Sequence, residues 1–215
     1  MNHSSKLIIS VHIPKAAGTT LMHTLDDAYG QEQILADYLD DPVDPCCRQN
    51  IDPDYYISNL NINFLETKLI HGHFSPRKYS DITQATWITF LREPVENIIS
   101  IYNFWRQLPK GSHILHDYFL ENKLSLIDMA RLPALRFLYS KSYFAGFDME
   151  RFDFIGDYAH YKPEVERLSA LLGISLRQDI FKNKTPQKER ERVDQTELKE
   201  ILKQDIEFYQ KYKGQ

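Results

Sequence analysis

The sequence predicts an α/β domain built on a mostly parallel sheet. Two strand–loop–helix units and their alternation carry that prediction. Residues 6–13 (Lys-Leu-Ile-Ile-Ser-Val-His-Ile) form a short, almost continuous apolar run, which suits a strand buried on both faces. Pro14-Lys-Ala-Ala-Gly18 breaks it, and residues 19–29 follow with Leu21, Leu25 and Ala28 at helical spacing and Gly30 as a stop. The second unit is residues 85–91, rich in β-branched and aromatic side chains, which ends at Arg92-Glu-Pro94. Pro94 suits a first helical turn, and residues 95–107 put Val95, Ile98, Ile99, Tyr102 and Trp105 on one stripe. Strands alternating with helices imply parallel pairing.

The remaining elements fit the same plan. Residues 67–71 and 151–156 read as strands, the first followed by a polar loop over 72–80. Residues 163–172 read as a helix with proline at its start and Gly173 after its end. Asp194 with Glu197 forms a capping box for a helix reaching about Tyr212. Residues 108–147 look mainly helical and aromatic, with Ser125 and Asp128 as a cap. Residues 31–66 hold an acidic, proline-broken loop at 40–45 and a short helix at 54–60. No internal repeat interrupts the chain, and residues 1–215 are expected to form a single domain.

Composition narrows the function. With 42% hydrophobic and 26% charged residues, the chain is neither disordered nor collagen-like. A net charge of −4 argues against broad phosphate neutralisation, so no nucleic-acid partner is expected. Cys46 and Cys47 are the only cysteines and are adjacent, which disfavours a disulfide; two free thiols in a loop fit a reducing compartment. No stretch approaches the roughly 20 apolar residues of a membrane span. The expectation is a soluble, cytoplasmic protein without a membrane segment.

Three segments carry chemistry. In His12-Ile-Pro-Lys-Ala-Ala-Gly-Thr-Thr-Leu21 a strand feeds a tight loop and then a helix. Backbone N–H groups at that helix start favour an anion. Lys15 adds a full charge, Thr19 and Thr20 add hydroxyls, and Gly18 allows close backbone approach. The order differs from the Gly-x-x-x-x-Gly-Lys-Ser/Thr loop of nucleoside-triphosphate enzymes, because Lys15 precedes Gly18. Arg92 stands at a predicted strand end and offers a fork to phosphate, with Ser100 eight residues on in the helix. An ion pair of Arg92 with Glu93 or Glu96 is the plainer alternative. His71-Gly-His73 lies at another strand end on the same sheet edge, where parallel sheets form ligand crevices. Metal binding by this pair is unsupported, since no nearby His/Cys/Asp cluster completes a site.

The first segment resembles the 5′-phosphosulfate loop of sulfotransferases, and looks especially like the carbohydrate-modifying branch that includes the heparan sulfate O-sulfotransferases and their bacterial relatives. Phe90-Leu-Arg-Glu-Pro-Val-Glu-Asn-Ile-Ile-Ser-Ile-Tyr102 resembles the family's 3′-phosphate segment, and Asp153-Phe-Ile-Gly156 its later strand. Residues 157–161 depart from the family pattern. Asn183-Lys-Thr185, before a basic run, is similar to a further stretch near the 3′-phosphate.

The resemblance implies a nucleotide-kinase-like, P-loop-type three-layer fold around a central parallel sheet. It implies sulfuryl transfer from 3′-phosphoadenosine-5′-phosphosulfate (PAPS) to a hydroxyl of a carbohydrate, lipid or small-molecule acceptor. The product would be adenosine 3′,5′-bisphosphate (PAP), and no metal would be required. Lys15, the backbone of Ala16, Ala17 and Gly18, and Thr19 and Thr20 would hold the 5′ side of the donor. Arg92, Ser100, Asn183 and Thr185 would hold its 3′-phosphate. His73 would be the base and His71 its supporter. Residues 31–66 and 106–149 match no motif; in the family such segments set acceptor choice, and 106–149 is the expected acceptor side. A small-molecule kinase on the same fold and a catalytically silent nucleotide-binding module remain as alternatives.

Overall fold

A computed structural model describes residues 6–52, 66–176 and 195–215. Five parallel strands form one sheet: β1 (Leu7–Val11), β2 (Ile34–Asp37), β3 (Leu69–Gly72), β4 (Ala85–Leu91) and β5 (Phe154–Asp157). Their spatial order is β2-β3-β1-β4-β5. The chain leaves β1 toward one side of the sheet and returns to the other side at β4. The ends of β1, β3 and β4 therefore meet at a switch point, the place where open parallel sheets bind ligands.

Period-2 alternation explains why both faces are covered. Ile9 and Val11 of β1, Ile70 of β3, Trp87 and Leu91 of β4 and Ile155 of β5 enter one core. Ile8, Leu69, Ile88, Phe90 and Phe154 enter the other. Helices α1 (Gly18–Tyr29) and α5 (Tyr161–Leu172) close the second core through Leu21, Leu25, Val165 and Leu168. The first core is closed by α2 (Pro94–Trp105), α3 (Ile114–Glu121), α4 (Leu126–Arg131), α6 (Gln195–Ile201) and α7 (Lys203–Tyr212). The result is the expected three-layer fold. Each fully buried aliphatic or aromatic side chain contributes about 1.5–3 kcal/mol to it.

Local signals hold where their physics is local. Pro94 opens α2 behind Glu93, whose side chain accepts from the Glu96 amide at 2.8 Å. Ser125 and Asp128 form a reciprocal capping box on α4. Gly173 ends α5 in the left-handed region at φ 67°.

Three expectations change. Residues 34–37 form a strand where none was expected. The C-terminal helix is two helices that break at Leu202, and Asp194 of its expected capping box lies outside the described residues. The helix expected at 54–60 also falls outside them. Residues 108–147 are helical as expected but in short pieces, ending in a π-helical turn at Leu138–Tyr143. The buried Asp205 carboxylate on α7 accepts from the amides of Tyr139 at 2.8 Å and Ser140 at 3.0 Å, anchoring the start of that turn. Cys46 is exposed, Cys47 is buried, and both are free thiols. Among the described residues, no helix is long and apolar enough to cross a membrane.

Candidate functional site

The loop between β1 and α1 is held open by its neighbours. Lys15 and Ala17 take left-handed conformations, φ 62° and 70°. Non-glycine residues adopt these at a cost of about 1–2 kcal/mol, so the surroundings must impose them. They do so from two elements. Asn97 on α2 donates from Nδ2 to the Pro14 carbonyl at 2.9 Å, and Arg92 at the end of β4 donates from Nη1 to the Lys15 carbonyl at 3.1 Å. No side chain caps α1, and its first turn carries no acidic residue. The N-terminal N–H groups of a three-turn helix thus lie beside Lys15 without a competing carboxylate. Burial first, then the Arg92 charge, lowers the pKa of Lys15.

Three more positions, Ser100, Thr19 and Thr20, border this cationic half. Ser100 lies three residues beyond Asn97 and four before Phe104, on one face of α2. That face meets the loop, because the Lys15 ammonium sits 4.2 Å from the Phe104 ring centroid. Ser100 is 9% exposed, Thr20 is buried and Thr19 is exposed at the start of α1. Arg92 is mostly buried, lies 4.6 Å over the Tyr158 ring, and reaches Glu96 at 3.7 Å. The ion pair with Glu96 is long and half-open to water, so it offers little competition for the guanidinium.

The second half is a cluster of three imidazoles. His71 at the end of β3 is fully buried, with Nδ1 2.8 Å from Ser10 Oγ, its register partner on β1. His12 continues the β1 ladder, its amide donating to the Gly72 carbonyl at 2.8 Å. Its ring stacks on His71 at 5.1 Å and leans on His73 at 4.3 Å. Gly18 makes room for it: a Cβ there would stand 1.8 Å from the His12 ring. Burial lowers the pKa of all three, His71 to about 3 and His12 well below 6.5. For His73 burial is opposed by the Asp41 charge. Each ring is neutral at pH 7, and His73 is the most open of the three, its side chain 18% exposed, while His12 is buried and His71 fully so. His73 is therefore the imidazole of the cluster fitted to take a proton.

Lys15, Gly18, Thr19, Thr20, Arg92, Ser100 and His73 all come to one sheet edge, along with the backbone of Ala16 and Ala17. Asn183 and Thr185 lie outside the described residues. His71 shares the edge but turns inward to Ser10 and reaches His73 through the His12 ring. Sequence reasoning missed His12, Tyr38, Asp41 and Tyr143. The Tyr38 ring lies 5.0 Å from the His73 ring, tilted by 51°. The Tyr143 hydroxyl lies 3.0 Å from His73 Nδ1 and donates to Asp41 Oδ1 at 3.1 Å. Tyr139, four residues earlier, donates to the Arg92 carbonyl at 2.7 Å. Of the seven aromatics in 106–149, Phe119, Tyr139, Tyr143, Phe144 and Phe147 are buried, so that segment is mainly core.

No protein-family model matches the chain. No curated protein matches it either. Solved structures similar to it include mouse sulfotransferase SULT7A1 complexed with PAP, at TM-score 0.40 and 15% identity over 82% of this chain. This chain spans 62% of that mouse protein's length. A sulfotransferase from Alicyclobacillus acidocaldarius is similar at TM-score 0.44 and 15% identity, covering 94% of this chain and 91% of that one.

Proposed function

We propose that this protein is a sulfotransferase that moves a sulfuryl group from PAPS to a hydroxyl of a carbohydrate, lipid or small-molecule acceptor. One observation carries the reading: a cationic loop, with Lys15 tied to Arg92 at 3.1 Å, shares a sheet edge with a neutral, partly open imidazole, His73. The first suits an anionic leaving group and the second a hydroxyl proton. The sequence motifs at those positions support the same pairing. The carbohydrate branch rests on the loop alone. A reducing, cytoplasmic setting belongs to the same reading.

The reaction is an in-line displacement at sulfur. His73 takes the acceptor's proton as the acceptor oxygen bonds to sulfur. The bond from sulfur to the 5′-phosphate oxygen breaks, and its electron pair leaves on that oxygen. Lys15, the N–H groups of Ala16, Ala17 and Gly18, and the hydroxyls of Thr19 and Thr20 meet the growing charge. Arg92 and Ser100 hold the 3′-phosphate and fix the donor's register. Asn183 and Thr185 are assigned to the same phosphate. His71 supports the cluster from beneath, through His12.

Calorimetry tests the reading. PAP is expected to bind far better than AMP or ATP, and labelled PAPS to pass its sulfuryl group to an acceptor pool. Equal affinity for AMP and PAP overturns the assignment. Magnesium-dependent ATP turnover would replace it with a kinase.

A further inference from the structure

The contacts of His73 determine which of its nitrogens carries the proton. Its Nδ1 lies 3.0 Å from the Tyr143 hydroxyl oxygen and 3.7 Å from Asp41 Oδ2. The same hydroxyl donates to Asp41 Oδ1 at 3.1 Å. A phenol has one proton to give, and a carboxylate only accepts. With that proton committed to Asp41, the Tyr143 oxygen meets His73 as an acceptor. Nδ1 must then carry the imidazole hydrogen. The opposite arrangement would set a phenol lone pair against the Asp41 carboxylate and an Nδ1 lone pair against the same charge. The ring also packs at a tilt against His12 at 4.3 Å and Tyr38 at 5.0 Å.

We propose that Tyr143 and Asp41 are positioning residues that hold His73 as its Nδ1–H tautomer and leave the Nε2 lone pair to receive the acceptor's proton. The tautomer follows from the ligand-free geometry; its catalytic meaning rests on the sulfuryl-transfer reading. When Nε2 takes a proton, the positive ring keeps its Nδ1–H donated toward Tyr143, with Asp41 behind it. No proton passes along the chain; the carboxylate stabilises the cation where it stands. Asp41 comes from the acidic loop before Cys46, and Tyr143 from the π-helical turn. Two segments without a motif therefore converge on the base. They set its chemistry as well as the shape around it.

The test is nitrogen NMR of the ligand-free protein labelled at its imidazoles, with the His73 signal identified by its loss in His73→Gln. The wild type is expected to show a pyridine-like Nε2 and a protonated Nδ1. In Tyr143→Phe the Nε2–H form gains population, because Nδ1–H loses its acceptor at 3.0 Å and keeps the longer approach to Asp41 at 3.7 Å. Asp41→Ala gives the same change with Tyr143 in place, because the freed phenol proton turns to Nδ1. A bulky contact alone would not produce that result. Asp41 Oδ1 also accepts from the Val43 amide at 3.0 Å, so its variant is read beside Tyr143→Phe, and whichever folds decides. A wild-type Nε2–H tautomer overturns the proposal, as does an unchanged tautomer in a folded variant. Turnover should fall about 100-fold in both variants, at the lower end of a general base's contribution, with PAP affinity kept. Failure to bind PAP would sink the sulfuryl-transfer reading and leave the tautomer signal to decide this proposal.

Discussion

Arg92 and Lys15 are joined by one hydrogen bond, from Arg92 Nη1 to the Lys15 carbonyl at 3.1 Å, across 77 residues of chain. The bond fixes the mouth of the site. It brings two cations to one sheet edge, and their mutual repulsion adds to burial in lowering the Lys15 pKa. Repulsion held in place by the fold favours a multiply charged anion, because the ligand supplies the counter-charge that the protein withholds.

Arg92→Ala should weaken PAP binding by about 1.5–3 kcal/mol, the usual worth of a hydrogen bond to a charged group. It should leave AMP binding much less affected, because AMP lacks the 3′-phosphate. Arg92→Lys should recover only part of the loss, since a single ammonium cannot reproduce the fork. Calorimetry with the two nucleotides measures this difference. An equal loss for both would move Arg92 off the 3′-phosphate and leave it as a brace for the loop.

Lys15→Ala should lower turnover by about 100- to 1000-fold, the range seen when a donor to developing negative charge is removed. Alanine is no more relaxed at φ 62° than lysine, so the backbone strain is retained and the effect belongs to the ammonium. Donor affinity should change much less, because the charge it meets grows in the transition state. Steady-state kinetics with PAPS separate the two parameters. A raised Michaelis constant at full turnover would make Lys15 a binding residue only.

Gly18→Ala should disable the site through packing. The new Cβ would stand 1.8 Å from His12, a rigid ring wedged between His71 and His73. Relief requires the ring or the helix start to move, at about 1–3 kcal/mol for overpacking. PAP affinity and the chemical-shift environment of His73 should both change in this variant. Retention of both would mean that the loop and the imidazole cluster are less coupled than the fold implies.

The β1–α1 loop and the Arg92 segment were legible as structure because each is local: a strand, a turn and a helix written consecutively in the chain. β2 was not, since Ile34-Leu-Ala-Asp37 is four residues long, lies on the sheet edge, and has no room to show a period. His12 was read only as the first residue of the loop segment. Its partnership with His71 and His73 follows from β3 lying beside β1, a pairing that spans about sixty residues and leaves no mark in either segment. Tyr143 belongs to the aromatic stretch at 106–149, where sequence alone does not separate core rings from site rings. Its ring is buried, and its hydroxyl alone reaches the site.

The pH dependence of turnover should follow His73. The side chain works as a base only when neutral, and burial lowers its pKa against the opposing pull of Asp41. Turnover should therefore be flat from about pH 8 to 6.5 and fall only below the ordinary histidine value. Asp41→Ala removes the charge that raises the pKa, so the acid limb should move to still lower pH. A limb above pH 7 in the wild type would point to a different base.

The imidazole cluster should also make the fold acid-sensitive. In the unfolded chain each histidine takes a proton near pH 6.5, while in the native state His71 takes one only near pH 3. Between those values the unfolded state holds more protons, so stability declines as pH falls, by up to about 1.4 kcal/mol per pH unit for each such group. His12 and His73 shift in the same direction, and so does His113, whose pKa burial also lowers. Above about pH 7 all are neutral in both states and contribute no slope. Carboxylates enter mainly below about pH 5, so the interval between pH 6.5 and 5 isolates the histidines. Urea unfolding across that interval should show a midpoint falling steeply with acid. In His71→Gln the slope should be shallower by about one proton. A midpoint that stays level from pH 7 to 5 would show that the cluster accepts protons while folded, and the neutral packing of His12 on His71 would have to be redrawn.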